Sequence, residues 1–125
     1  MGRIRKSYYK IKTFFRNLKL FWKVLWTYHW WDYQYLIDAN IVMLKDMAEH
    51  FEEKGTHVNH KHIASTIREI VELLETDIDN EAYEKFKHIK DYTERGRQEN
   101  LMIDAHKDKI IKLLLGPNGI EHWWD

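Results

Sequence analysis

Three groups of residues in this 125-residue sequence have the types and spacing to do chemistry. The first is a run of eight cations, Arg3, Arg5, Lys6, Lys10, Lys12, Arg16, Lys19 and Lys23, with no acid before Asp32 and with ten aromatic residues from Tyr8 to Trp31 interleaved among them. Cationic side chains neutralise phosphates and aromatic rings stack on bases, so the segment has the composition of a site for a phosphate-bearing ligand. The second group is His57, His60 and His62, with His50 a helical turn and a loop away. Imidazoles so clustered can bind zinc, nickel or copper. The third is the tripeptide Trp-Trp-Asp, found at Trp30 to Asp32 and again at Trp123 to Asp125.

Each group also has a plain structural reading. The histidines lack Cys partners and the His-Glu-x-x-His spacing, so a solvated helix start is preferred over a metal site, and no cofactor is expected. His106 falls on an apolar stripe and reads as a core histidine with its hydrogen bond satisfied, within reach of which His88 could come. Glu72 and Glu75 would serve acid–base catalysis only if burial raised one pKa, and they read as an exposed face. There is no pair of Glu-x-x-His motifs for a diiron site, no Gly-rich phosphate loop, no nucleophile elbow and no cysteine. No catalytic residue is assigned, and an enzyme is the minority expectation. For the Trp pairs, the C-terminal pair docking back beside Trp30 and Trp31 is preferred over a ligand pocket lined by both; exposed clusters of large aromatics otherwise mark an interface.

Charge separates the chain more sharply than composition does. Twenty basic and twenty acidic residues cancel, yet the segment before Asp32 carries +8 and the remainder −8. Such an asymmetry fits an anion-binding arm on an acidic body, or an arm folded against its own acidic helices. The absence of cysteine removes disulfides and thiolate chemistry. Arg16, Lys19 and Lys23 interrupt any secretory or membrane-spanning run, and the Lys- and Trp-rich start differs from a mitochondrial presequence, so it is read as part of the mature protein.

The elements that must position these groups follow from periodicity. Ile4, Tyr8, Ile11, Phe15, Leu18, Trp22, Leu25 and His29 recur at spacings of four and three, one stripe of a helix, with Phe14, Phe21 and Tyr28 on its flank. Lys12, Arg16, Lys19 and Lys23 share the opposite side. Asp32 predicts an N-cap for a second helix whose buried set is Ile37, Ile41, Leu44, Ala48 and Phe51, stopped by Gly55. Asn59 predicts the next cap, with Val58 stapled to Ile63, before a core face of Ile63, Ile67, Ile70, Val71 and Leu74. Asp77 to Asn80 supplies another start, Gly96 predicts a kink or break, and Ile103, His106, Ile110 and Leu113 resume the pattern up to Gly116-Pro117. The sequence therefore predicts a single all-α domain over 1–125, a four- to five-helix bundle with helices near 4–28, 33–54, 60–76, 80–95 and 99–115. Within it, 1–31 is a cationic aromatic helix and 32–125 an acidic helical body.

The basic aromatic start, Trp31-Asp32-Tyr33 and the terminal Trp123-Trp124-Asp125 together resemble short helical proteins of tailed bacteriophages. That resemblance implies an accessory phage product in a bacterial cytoplasm, acting on host pathways or assembled with other phage components, with no catalytic residues to carry over. The leading functional expectation is a non-enzymatic binding module for nucleic acid or a small nucleotide. In it Lys12, Arg16, Lys19 and Lys23 neutralise phosphates while Trp22, Trp26 or Trp30 stacks on bases, and Trp31, Trp123 and Trp124 form an interface or dock the tail. The alternative is a structural component that oligomerises through the aromatic stripe of the first helix. A peripheral role on an anionic membrane surface comes third.

Overall fold

Side-chain caps and glycines divide the chain into its elements. In the computed structural model, which describes residues 2–54 and 59–124 with Gly2 and Lys54 by backbone alone, these are α1 (Gly2–Thr27), α2 (Gln34–Lys54), α3 (His60–Glu75), α4 (Ile78–Phe86), α5 (Tyr92–Leu115) and a 3₁₀ turn (Ile120–His122). The fold is all-α, with five helices and no strand among the described residues. Asp32 caps α2, its Oδ1 accepting from the backbone N–H of Gln34 at 2.9 Å. Asp77 does the same for α4 from Asn80, at 3.2 Å. These carboxylates satisfy donors that a helix start leaves open and complement its partial positive charge. Asn59 stands at the cap position of α3 but makes no side-chain cap bond; its carbonyl accepts from Ile63 N–H at 2.9 Å. Gly55, expected to stop α2, and Val58, expected to staple α3, lie outside the described residues.

The chain forms two compact units, Met1–Met43 and Leu44–Asp125, divided within α2. The first contains α1, the turn 28–33 and the first half of α2. At 1.5 Å per residue the 26 residues of α1 extend about 39 Å. Its half-buried residues are Leu18, Leu20, Phe21 and Val24. The turn after it is closed by ring contacts: His29 stacks on Trp31 with centroids 4.7 Å apart, and Tyr35 meets both His29 and Tyr28 edge to face.

The second unit holds the core. Leu44, Ala48 and Phe51 of α2 are buried with Ile63, Ala64, Ile67, Ile70 and Val71 of α3, the faces that helical spacing selects. Completely burying a side chain such as Ile67 is worth roughly 1.5–3 kcal/mol, so α3 is the element on which this unit rests. Two ion pairs give α2 and α3 antiparallel register: Arg68 grips Glu52 with two bonds of 2.8 and 3.3 Å, and Lys45 reaches Glu75 at 3.2 Å. The register of α3 against α5 is also antiparallel. His106 donates from Nε2 to the Leu73 carbonyl at 2.9 Å, and Lys109 meets Glu69 at 3.5 Å. Half-buried His106 thus satisfies a carbonyl in the last turn of α3, the structural role its place on the stripe predicts.

The expected break at Gly96 is overturned. α4 ends at Phe86, and a new helix begins at Tyr92 because Asp91 caps it, accepting from Thr93 N–H at 3.1 Å while its carbonyl accepts from Arg95 at 2.9 Å. Gly96 then sits inside α5, in a turn bridged by Arg97–Glu94 at 2.7 Å and Arg95–Glu99 at 3.6 Å. Such pairs offset part of the roughly 1 kcal/mol that a helical glycine costs. α4 packs beside α5 with Ala82 fully buried.

Two predictions follow from the start of α5. Nothing lies within 4 Å of a Cβ built at Gly96, so Gly96→Ala should raise stability by about 0.5–1 kcal/mol in a urea titration; a loss would show that the glycine is needed there. The hydrogen bonds from Arg97 and then Gln98 hold the Glu94 carboxyl down to about 2, from an ordinary value of 4.5. The folded chain therefore favours the ionised form, and its contribution to stability is full above pH 4.5 and is lost as pH falls through about 2. A carbon-detected NMR titration should place the Glu94 midpoint at about 2 and return it toward the ordinary value in Arg97→Gln.

Candidate functional site

The cationic and aromatic residues of the N-terminal segment share one helix because an uninterrupted four-three pattern of large apolar residues, with no proline and no glycine after Gly2, sustains α1 up to Thr27. Almost all of that stripe is exposed: Ile4, Tyr8, Ile11, Phe15, Trp22 and Leu25, with Leu18 half-buried. Neighbouring rings organise one another along it. Tyr8 meets Tyr9 and Phe14 meets Phe15 edge to face, and Trp22 stacks on Trp26 at 5.9 Å with planes 18° apart. Trp26, one of the proposed stacking residues, is 79% exposed.

Lys12, Arg16, Lys19 and Lys23 are all exposed. Their position relative to the aromatic stripe differs from the expectation of opposite sides. At about 100° of rotation per residue, Lys19, Lys12, Lys23 and Arg16 follow one another round the helix directly beyond Trp26 and Tyr8, so the ridge borders the aromatic face. Arg3 and Lys10 lie past the other border, and between the two rows the back of the helix carries Tyr9, Thr13, Asn17, Leu20, Val24 and Thr27 along with Lys6. Arg16 also contacts the Asn17 carbonyl oxygen of the side chain at 3.4 Å.

Beyond α1, Trp30 is 80% and Trp31 68% exposed, and they meet each other edge to face at 5.9 Å. The C-terminal pair has a different environment. Trp123 is 1% exposed and donates its indole N–H to the Asn118 carbonyl at 3.2 Å, and Trp124 packs on Phe51 of α2 at 5.9 Å. Two glycines permit this approach: at Gly119 a Cβ would collide with the Leu114 carbonyl, and at Gly116 with that of Lys112. The Trp123 ring therefore completes the core of the second unit.

The histidine candidates are placed in part. His60 donates from Nδ1 to the Phe51 carbonyl at 2.8 Å, joining the start of α3 to the end of α2. His62 is exposed, and His57 lies outside the described residues. Among the described residues no group of three His, Asp or Glu side chains is arranged to hold a metal ion. Glu72 and Glu75 are both exposed, and Glu75 pairs with Lys45.

No family model, no curated protein and no solved structure matches this chain. Functional inference thus rests on the residues themselves.

The two Trp-Trp-Asp copies should separate in a stability assay. Trp123→Ala should cost about 3–5 kcal/mol in denaturant unfolding, as removal of a buried aromatic does, whereas Trp30→Ala should stay within about 0.5 kcal/mol. Equal losses at the two positions would contradict their assigned environments.

Proposed function

We propose that this protein is a non-enzymatic binding module whose α1 presents a cationic aromatic surface to a phosphate-bearing partner. The observation that carries the reading is the exposure of the α1 aromatics beside eight basic residues with no acid before Asp32. Lys12, Arg16, Lys19 and Lys23 neutralise phosphate charge. With a nucleic acid or nucleotide as the phosphate carrier, Trp22, Trp26 or Trp30 adds stacking of about 1–3 kcal/mol per base. The resemblance of Trp31-Asp32-Tyr33 and Trp123-Trp124-Asp125 to helical phage proteins supports an accessory role in a bacterial cytoplasm.

Several glutamates of the second unit pair within that unit. Glu52, Glu69, Glu75, Glu84, Glu94 and Glu99 are each matched by a cation of the second unit. A second reading, self-association through α1, is favoured by one observation: the exposed stripe from Ile4 to Leu25 keeps the four-three alternation of a coiled-coil seam. Solution mass separates the two, since an obligate oligomer that dissociates on substitution of Ile11 and Phe15 supports the second.

Phosphate binding should weaken steeply with salt. A panel of a single-stranded oligonucleotide, a nucleotide and anionic vesicles, titrated at low and moderate salt, should show at least one binder. Lys12→Gln, Arg16→Gln, Lys19→Gln and Lys23→Gln together should lower affinity; for an oligonucleotide the logarithmic salt slope should fall by about 0.7 per lost contact. Absence of binding to every member at low salt would overturn the reading.

A further inference from the structure

The exposed stripe contains aliphatic as well as aromatic side chains. Ile4, Ile11 and Leu25 are exposed within it and alternate with Tyr8, Phe15 and Trp22. Aliphatic groups gain nothing from a phosphate and little from a base face, but they gain fully from transfer into hydrocarbon. The cations flank this stripe on both sides over its first turns, Arg5, Lys12, Lys19 and Lys23 running along one border and Arg3 and Lys10, near the helix start, along the other. Long basic side chains so placed lay their methylenes along an apolar surface and raise their charges to its edge. A single strand of nucleic acid calls for one ridge that tracks its backbone; two cationic borders around an apolar centre match a plane of anionic headgroups over acyl chains. Tyrosine and tryptophan are the rings that settle at such an interface. Among the described residues no helix is long and apolar enough to cross a membrane, which leaves α1 a place along the surface rather than through it.

A second copy of the chain paired antiparallel fits this surface less well. Pairing the stripes antiparallel sets Arg5, Lys12 and Lys19 against the same residues of the other copy, with no acid before Asp32 to match them.

From this we infer that the phosphate-bearing partner of α1 is the surface of an anionic lipid bilayer, with the stripe from Ile4 to Trp26 seated at the boundary between headgroups and acyl chains. The inference rests on the phosphate-binding reading above and names its ligand class.

The test uses the full chain and three probes: vesicles of phosphatidylserine with phosphatidylcholine, vesicles of phosphatidylcholine alone, and a single-stranded oligonucleotide. The protein should co-sediment with the anionic vesicles, with a blue shift of tryptophan emission, and bind the neutral ones at least about tenfold less. Ile11→Ser with Leu25→Ser keeps every ring and every charge, and it should lower vesicle partitioning by about tenfold or more while leaving oligonucleotide affinity within about twofold. An unchanged thermal unfolding transition in that variant shows that the fold is intact. Because Leu25→Ser falls inside a long helix, Ile4→Ser with Ile11→Ser, nearer its start, provides an independent variant with the same expected loss. Binding to the oligonucleotide but not to vesicles overturns the lipid assignment and leaves the phosphate-binding reading standing. Binding to none of the probes overturns both. Equal binding to neutral vesicles, or partitioning that survives both double substitutions, also overturns the assignment, as does an obligate oligomer that ignores vesicles.

Discussion

The arrangement depends on one electrostatic constraint: eight basic residues lie before the first acid, within a helix whose periodicity holds them alongside a large apolar stripe. Cation and ring are neighbours here because of their phase: at about 100° per residue, Lys19, Lys12, Lys23 and Arg16 follow Tyr8 and Trp26 round the helix. A helix of this kind has no internal carboxylate with which to form the i,i+4 pairs that stabilise exposed helices. The contrast with α5 is direct, since there Glu94, Arg95, Arg97 and Glu99 pair among themselves within a turn and a half. Charge that α5 pairs within itself, α1 carries with no acid of its own.

The two Trp-Trp-Asp segments show how context decides the use of identical residues. In the first, Asp32 caps α2 and holds the turn while Trp30 and Trp31 lie exposed, organised by His29 and by each other. In the second, a 3₁₀ turn and two glycines bring Trp123 into the core, where its indole N–H finds the Asn118 carbonyl and Trp124 covers Phe51. The buried polar atom has its partner, as burial requires, and the ring adds a large apolar area to the core. The core of the second unit and the exposed surface of the first thus draw on the same residue type at opposite extremes of exposure.

Much of the fold was legible because helix physics is local. The caps at Asp32 and Asp77, the buried faces of α2 and α3, and the half-buried stripe Ile103, His106, Ile110 and Leu113 all follow from spacing and cap chemistry. Gly96 misled for a physical reason: the intrinsic cost of a helical glycine is about 1 kcal/mol, less than a strong cap at Asp91 and flanking ion pairs provide together. The position of the break depended on Asp91 and on the burial of Ala82, and neither leaves a periodic signature. Of the candidate site, the identity of the cations and rings was readable, whereas the exposure of the stripe was not. An apolar stripe at helical spacing is written the same way whether it is core or surface.

The measurement that tests the account most directly is the solvent exposure of each tryptophan in the unliganded protein. Incorporation of 5-fluorotryptophan, with fluorine NMR read before and after addition of a soluble gadolinium chelate, reports all six side chains in an otherwise native chain. The account predicts strong paramagnetic broadening at Trp22, Trp26, Trp30 and Trp31 and a protected resonance for Trp123. Protection of Trp22 and Trp26 equal to that of Trp123 would contradict it, because α1 would then be spending its aromatic face on the protein's own core.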